Sequence, residues 1–290
     1  MMRLIRTGLR PRNRERRGQA LILMYHSISR GRPDPWSLCV DPDLFAQQVE
    51  LLHDHYRVVS LGELRSALAR NDLLARTVAL TFDDGYRDNL LVAKPILEQY
   101  GVPATVFVTT GYTGSGRDFW WDELEAFCAA AGVGSRELWE ELRALAHEQR
   151  AERLDALWAS IGVSRPEPSL PLSPTELEHL ADGGLVALGA HTITHPHLSS
   201  LALPAQRHEI EASKAHLSEV VGRAVDDFAY PHGDFSQETM ALVRSAGFET
   251  ACTTHSMPVT RKSRPFELPR IQVGNWDGHA LERELELRLV

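Results

Sequence analysis

Long apolar runs are missing from this 290-residue chain. Runs such as Ala20 to Tyr25 and Ala104 to Val108 fall far short of the roughly 20 residues that span a bilayer, which excludes a transmembrane helix. Cysteine is scarce: Cys39, Cys128 and Cys252 are an odd number, widely spaced and without a C-x-x-C pair. A zinc-thiolate site does not fit, and a reducing, cytoplasmic setting is expected. Cations are thin outside the N-terminus. Residues 1–20 hold seven Arg against one Glu, so with a formal net charge of −8 the remaining 270 residues carry −14. Nucleic-acid grooves draw their affinity from clustered Lys and Arg, so an acidic body argues against one. The Arg-rich start also lacks the apolar stretch of a secretory signal. Residues 1–19 are therefore expected to be a solvated, disordered tail that could contact anionic membrane peripherally. Internal repeats and long low-complexity tracts are absent too.

What is present is ordinary globular material, 43% apolar and 24% charged with 20 Gly and 16 Pro. Short β-branched runs alternate with amphipathic stretches, which predicts an α/β fold of parallel strands and helical crossovers over residues 20–290. Strands are expected at Leu21 to Tyr25, Arg57 to Ser60, Thr77 to Phe82, Ala104 to Thr109, Val186 to Ala190, Asp227 to Pro231, Glu249 to Thr253 and Leu268 to Val273. Helices are expected at Pro42 to His55, Leu61 to Arg70, Asn89 to Tyr100, Pro204 to Gly222, Ser236 to Ala246 and from Gly278. From about 117 to 180 no strand is convincing, and a helical insertion is predicted, returning through the Pro-rich stretch Ser164 to Pro174.

Residues able to do chemistry follow the strands: His26, Asp83 and Asp84, His191, and His232. In parallel α/β barrels the strand ends form the active face, so these groups are expected to converge. Asp83 and Asp84 would face opposite ways on a straight strand, but Gly85 lets the chain bend. Two carboxylates in one small volume invite a cation, although either could instead cap the following helix. His191-Thr192-Ile193-Thr194-His195 offers two imidazoles. Its β-branched residues and Pro196 disfavour a helix, so the segment must curl for both rings to meet one ion. Two His and one Asp leave room for water and substrate, as a catalytic divalent-metal site requires, and the second Asp can act as general base.

Thr81-Phe82-Asp83-Asp84-Gly85, the His191 to His195 segment and Phe228-Ala229-Tyr230-Pro231-His232-Gly233, in that order, resemble the NodB-type polysaccharide deacetylases of carbohydrate esterase family 4. Leu23-Met24-Tyr25-His26-Ser27-Ile28 resembles the start of a circularly rearranged subgroup that includes poly-β-1,6-N-acetylglucosamine deacetylases. The resemblance implies a distorted, incomplete (β/α) barrel and metal-dependent removal of an N-acetyl group from an amino sugar. It implies Asp83 as general base, Asp84, His191 and His195 as ligands of one divalent ion such as Zn2+, His232 as a backbone N–H donor to the oxyanion, and His26 as general acid, with His255 in reserve. Two departures stand out. Ala229 occupies the position of an Arg that holds the base carboxylate, for which Arg270 is the expected replacement, and the late Leu-x-x-His motif is not visible. Tyr230, Trp121 and Trp276 are expected to bind substrate or support the site, and His197 to stand behind it. A deformylase, a deacetylase of lipid-linked or nucleotide-linked amino sugars, and a carbohydrate-binding relative without activity are the alternatives.

Overall fold

The computed structural model describes residues 18–31, 34–167 and 171–289. The basic tail lies outside them up to residue 17, and Gln19 already belongs to the first strand. Nine strands form one sheet: β1 (Gln19–Tyr25), β4 (Arg57–Val58), β5 (Thr77–Phe82), β6 (Ala104–Val108), β7 (Val186–Ala190), β8 (Asp227–Ala229), β9 (Thr250–Cys252), β10 (Val259–Thr260) and β11 (Ile271–Gln272). Two more, β2 (Ser27–Ile28) and β3 (Cys39–Val40), pair separately. The order β1-β5-β6-β7-β8-β9 is parallel throughout, and β10 alone runs antiparallel, on β1. The late segment ties the two ends together: Leu268 bridges Cys252, and three residues on Ile271 pairs with Leu23. The sheet is thus an open, curled half-barrel, the incomplete (β/α) barrel expected.

Helices flank it where the spacing predicted, and local chemistry sets their ends. α1 (Pro42–His55) starts on an Asp41 cap with Pro in its first turn, α2 (Leu61–Ala69) on a Ser60/Glu63 capping box; such caps satisfy amides with no intrahelical partner. The stretch from Asn89 begins as a π-helix (Asn89–Ala93) before becoming α3 (Lys94–Tyr100), which ends on Gly101 in the left-handed conformation. The insertion is helical: α4 (Trp120–Ala131), α5 (Arg136–Arg143), α6 (His147–Ile161) and α7 (Pro174–Ala181). α8 (Leu203–Val221), α9 (Gln237–Ser245) and α10 (Gly278–Arg288) complete the set. Among the described residues no helix is long and apolar enough to cross a membrane.

Strand alternation divides the core. Leu21, Leu23 and Tyr25 of β1, with Val78, Leu80 and Phe82 of β5, pack outward against the helices, whereas Ala20, Ile22, Ala79, Phe107, Ala229 and Leu268 fill the inside. A third, Trp-rich cluster holds the insertion together. The short strands β2, β3 and β10 carry too few residues to show a period. The expected strand Leu268 to Val273 pairs regularly only at Ile271–Gln272 because it crosses from one sheet end to the other.

Candidate active site

The inward face of the sheet delivers the reactive groups. Ala79, Thr81 and Asp83 share one parity of β5 and its extension, so Asp83 points into the barrel. Its amide continues the ladder to the Tyr25 carbonyl at 2.9 Å. Asp84 should point outward, yet its φ of +73°, followed by +86° at Gly85, breaks the alternation and lets both acids line one cavity. A Cβ at Gly85 would lie 3.1 Å from Val108 Cγ1, in a backbone conformation side chains rarely adopt, so glycine is the residue that makes the bend.

The His191–His195 segment curls as required, with Thr192 and His195 at φ of +66° and +57°. The curl is held from outside. Glu209 of α8, buried, accepts the amides of Ile193 and Thr194 on Oε2 at 2.7 and 2.9 Å and the Thr194 hydroxyl on Oε1 at 2.6 Å. Gly111 also donates to the Ile193 carbonyl at 2.8 Å. His191 Nδ1 donates to the Ala229 carbonyl at 2.8 Å, which leaves the Nε2 lone pair facing Asp84 Oδ1 at 3.6 Å; His195 Nε2 lies 3.4 Å from the same oxygen. One ligand atom from each of Asp84, His191 and His195 falls within 4.8 Å of the others. One carboxylate oxygen and two imidazole nitrogens so close together are a donor set suited to a zinc-type divalent ion, with a position left for a small ligand. Burial holds both imidazoles below their ordinary pKa, in His195 with help from the neighbouring imidazoles. Both are neutral, as ligation demands.

Asp83 has a different partner. Arg270, with no exposed surface, grips it with both arms, Nη1 to Oδ1 at 2.6 Å and Nη2 to Oδ2 at 2.7 Å. The guanidinium also donates to the Thr253 carbonyl and the Thr81 hydroxyl at 3.0 and 3.2 Å, which makes a buried pair affordable. Burial would raise the Asp83 carboxyl, but Arg270 and His191 outweigh it and hold the pKa at about 2. Arg270 thus holds the Asp83 carboxylate from a late position in the chain, and Ala229 contributes a carbonyl to His191.

His26 lines the same cavity as Asp83, Asp84, His191, His195 and His232. Burial lowers its pKa to about 4, against the pull of Asp83. Its strand end is pinned by two neighbours that sequence reasoning missed. Asn89 donates to the His26 carbonyl at 2.8 Å, and Asp88 accepts the Ser27 hydroxyl and the Ile28 amide at 2.5 and 3.0 Å.

Other expected residues are distributed unevenly. Trp121 walls the cavity, but as a buried indole 4.7 Å from the His195 ring, donating to the Tyr86 hydroxyl at 2.8 Å. Tyr230 lies outside the cavity: it shares the outward parity of Phe228 and sends its hydroxyl to the Phe266 carbonyl at 3.1 Å. Trp276 packs partly buried against the outer core, its carbonyl accepting from Gln48 at 2.6 Å. His255 is exposed and serves through its carbonyl, which accepts the Arg270 amide. His197 stacks 4.0 Å from the exposed ring of His232.

A family model described as polysaccharide deacetylase matches residues 70–251, more than half of the chain. The chain belongs to the polysaccharide deacetylase family. Among relatives of this deacetylase family member, YxkH of Bacillus subtilis (strain 168), assigned by its name to the polysaccharide deacetylases, is 25% identical over 254 residues, 87% of this chain and 70% of its own. A poly-β-1,6-N-acetyl-D-glucosamine N-deacetylase of Staphylococcus aureus (strain MRSA252) is 21% identical over 257 residues, 82% of this chain and 72% of its own. The solved structure of the Streptococcus pyogenes deacetylase PplD in complex with acetate superposes with a TM-score of 0.69 at 25% identity, covering 91% of this chain and 97% of that one. The deacetylase family's NodB-type motifs are thus the segments that bring Asp83, Asp84, His191 and His195 together.

Glu209 braces the His191–His195 segment without lining the cavity, so its removal has a readable effect. Glu209→Ala frees three donors and lets Thr192 and His195 relax from their left-handed conformations. Zinc binding, followed by competition with a chromophoric chelator, is expected to weaken by about 10- to 100-fold, the usual cost of losing an outer partner of a ligand.

Proposed function

We propose that the protein is a divalent-metal-dependent hydrolase that removes an N-acetyl group from an amino sugar of a glycan, with zinc as the ion. The reading rests on one observation: an ionised carboxylate, Asp83, is clamped by Arg270 beside the Asp84–His191–His195 cluster in a single cavity. The relatives support it, one named as an N-acetyl-D-glucosamine polymer deacetylase and one solved with acetate, the acid such a reaction releases.

An ion held by Asp84, His191 and His195 would polarise the acyl oxygen and acidify water beside it. Asp83, fixed by Arg270 so that its lone pairs face the cavity, takes a proton from that water as oxygen adds to the acyl carbon. The backbone N–H of His232 is assigned to the acyl oxygen as charge develops there. A carboxyl whose pKa is about 2 does not keep a proton. His26, with a pKa of about 4, is neutral at rest and relays that proton to the nitrogen as the C–N bond breaks. Water thus supplies OH to the acyl carbon and H to the amine, giving acetate and a free amino sugar with no other reactant. His26 is given this role because it lines the same cavity as Asp83 and the Asp84–His191–His195 cluster.

The test is acetate release from N-acetylated sugars by purified protein before chelation, after it, and after zinc is returned. Release that stops on chelation and resumes with stoichiometric zinc is expected. No release from any member of the panel by zinc-loaded protein refutes the reading.

A further inference from the structure

Arg150 of α6 keeps only 7% of its surface exposed, yet it forms no ion pair with a carboxylate among the described residues. Its Nε donates to the Leu142 carbonyl at 2.9 Å and its Nη2 to the Leu145 carbonyl at 3.0 Å. The Tyr112 hydroxyl takes a further hydrogen bond, and the guanidinium lies 4.5 Å from the Trp120 ring. All of these partners are neutral. A cation withdrawn from water without a counter-charge is costly. Arg270, the other buried arginine among the described residues, has Asp83 for that purpose.

Beside Arg150 lies a cavity of about 20 Å³, lined also by Tyr112, Trp120, His147 and Glu123. That is room for one water or one small ion, and too little for a phosphate. Its walls are rich in donors. Trp120, 4% exposed, carries an indole Nε1–H with no acceptor among the described residues, and His147 Nδ1 is buried without a partner. The Tyr112 oxygen already accepts from Arg150 and from the Trp120 amide, which leaves the hydroxyl proton to give. Glu123 and Asp118 are the acids on the rim. Neither pairs with Arg150, and Glu123 has guanidinium groups of its own, from Arg117 and Arg165, each at 3.0 Å. A monoatomic anion accepts from every donor at once and brings the charge that Arg150 lacks, whereas a water must also place two protons.

We propose that this cavity is a halide site, filled by chloride in solution, with Arg150, Trp120 Nε1 and the Tyr112 hydroxyl as its donors. Trp120 precedes Trp121, whose indole walls the catalytic cavity 4.7 Å from the His195 ring, so the ion would brace the helix that carries that wall. Halide binding here needs nothing from the reaction assigned to the catalytic cavity.

The experiment uses full-length protein loaded from zinc sulfate in sodium gluconate, free of chloride. Chloride or bromide then replaces gluconate at constant ionic strength while the melting midpoint is followed. A rise that saturates is expected, reaching about 5 °C at ~100 times the dissociation constant. Arg150→Gln should abolish the rise, and Trp120→Phe should weaken halide binding about 10-fold, the worth of one hydrogen bond to a charged group. Arg207→Gln, which breaks an exposed pair with Glu211 on α8, should leave the response whole. Crystals grown in sodium bromide read the site without any variant, and an anomalous peak between Trp120 and Arg150 is expected. No such peak, a midpoint that responds to gluconate as it does to chloride, or an unchanged response in folded Arg150→Gln overturns the site. A peak seen only at molar bromide, with no shift of the midpoint, marks an adventitious ion only and overturns it as well.

Discussion

Asp83→Asn is expected to lower kcat/KM by about 10²- to 10⁴-fold, the usual worth of a positioned general base, while the protein still binds one zinc per chain. The amide cannot take a proton, but Asp84, His191 and His195 keep their own supports. Retained zinc with lost acetate release, measured on one preparation, separates the base from the ligands; normal turnover in zinc-replete Asp83→Asn would remove Asp83 from the mechanism. Stability must fall as well, because Arg270 is left as a buried cation whose counter-charge has gone, at about 3–5 kcal/mol for such a broken pair. Assays therefore belong well below the lowered melting midpoint, and an added Arg270→Met should return part of the loss without returning activity. Acid behaviour follows from the same pair. The Asp83 pKa of about 2 lies below the 3.8 of an unhindered carboxyl, so this group's contribution is complete above about pH 4. It is lost as pH falls toward 2, and amounts to about 2 kcal/mol. Over that window wild type should lose more stability than Asp83→Asn, as read by denaturant unfolding at each pH.

His191→Ala is the complementary loss. Without its Nε2 the cluster keeps one carboxylate and one imidazole, too few for a tight zinc site, so metal stoichiometry should fall toward zero and acetate release to background together. The Ala229 carbonyl also loses its donor, at about 1–3 kcal/mol for a buried polar group left unpaired. Arg270 and Asp83 stay paired, so the fold survives and circular dichroism should be near that of wild type. Full zinc occupancy with activity intact would show that the three side chains do not form the site.

Much of this arrangement was legible in the sequence because parallel barrels place chemistry after strands. The acids at 83 and 84, the curl at 191–195 and the helical insertion all follow from local pattern. Tyr230's place outside the cavity was readable: it shares parity with Phe228, so a residue count along β8 sends it to the helix layer. Trp276 had no such warning, since only packing against the outer core decides its side. Glu209, Asp88 and Asn89 sit in helices or turns whose composition suggests an ordinary solvated surface, and their work is long-range hydrogen bonding to loops far away in the chain. Arg270 was reached only because the position at 229 was empty of charge.

That last contact has a bearing on biogenesis. Asp83 and the guanidinium that neutralises it are separated by 187 positions, and synthesis proceeds from the N-terminus. A growing polypeptide therefore carries Asp83 without its guanidinium partner until the segment around residue 270 emerges, and the end of β5 should stay hydrated until then. Premature termination anywhere before that point would yield a product unable to close its interior, a natural target for quality-control proteolysis.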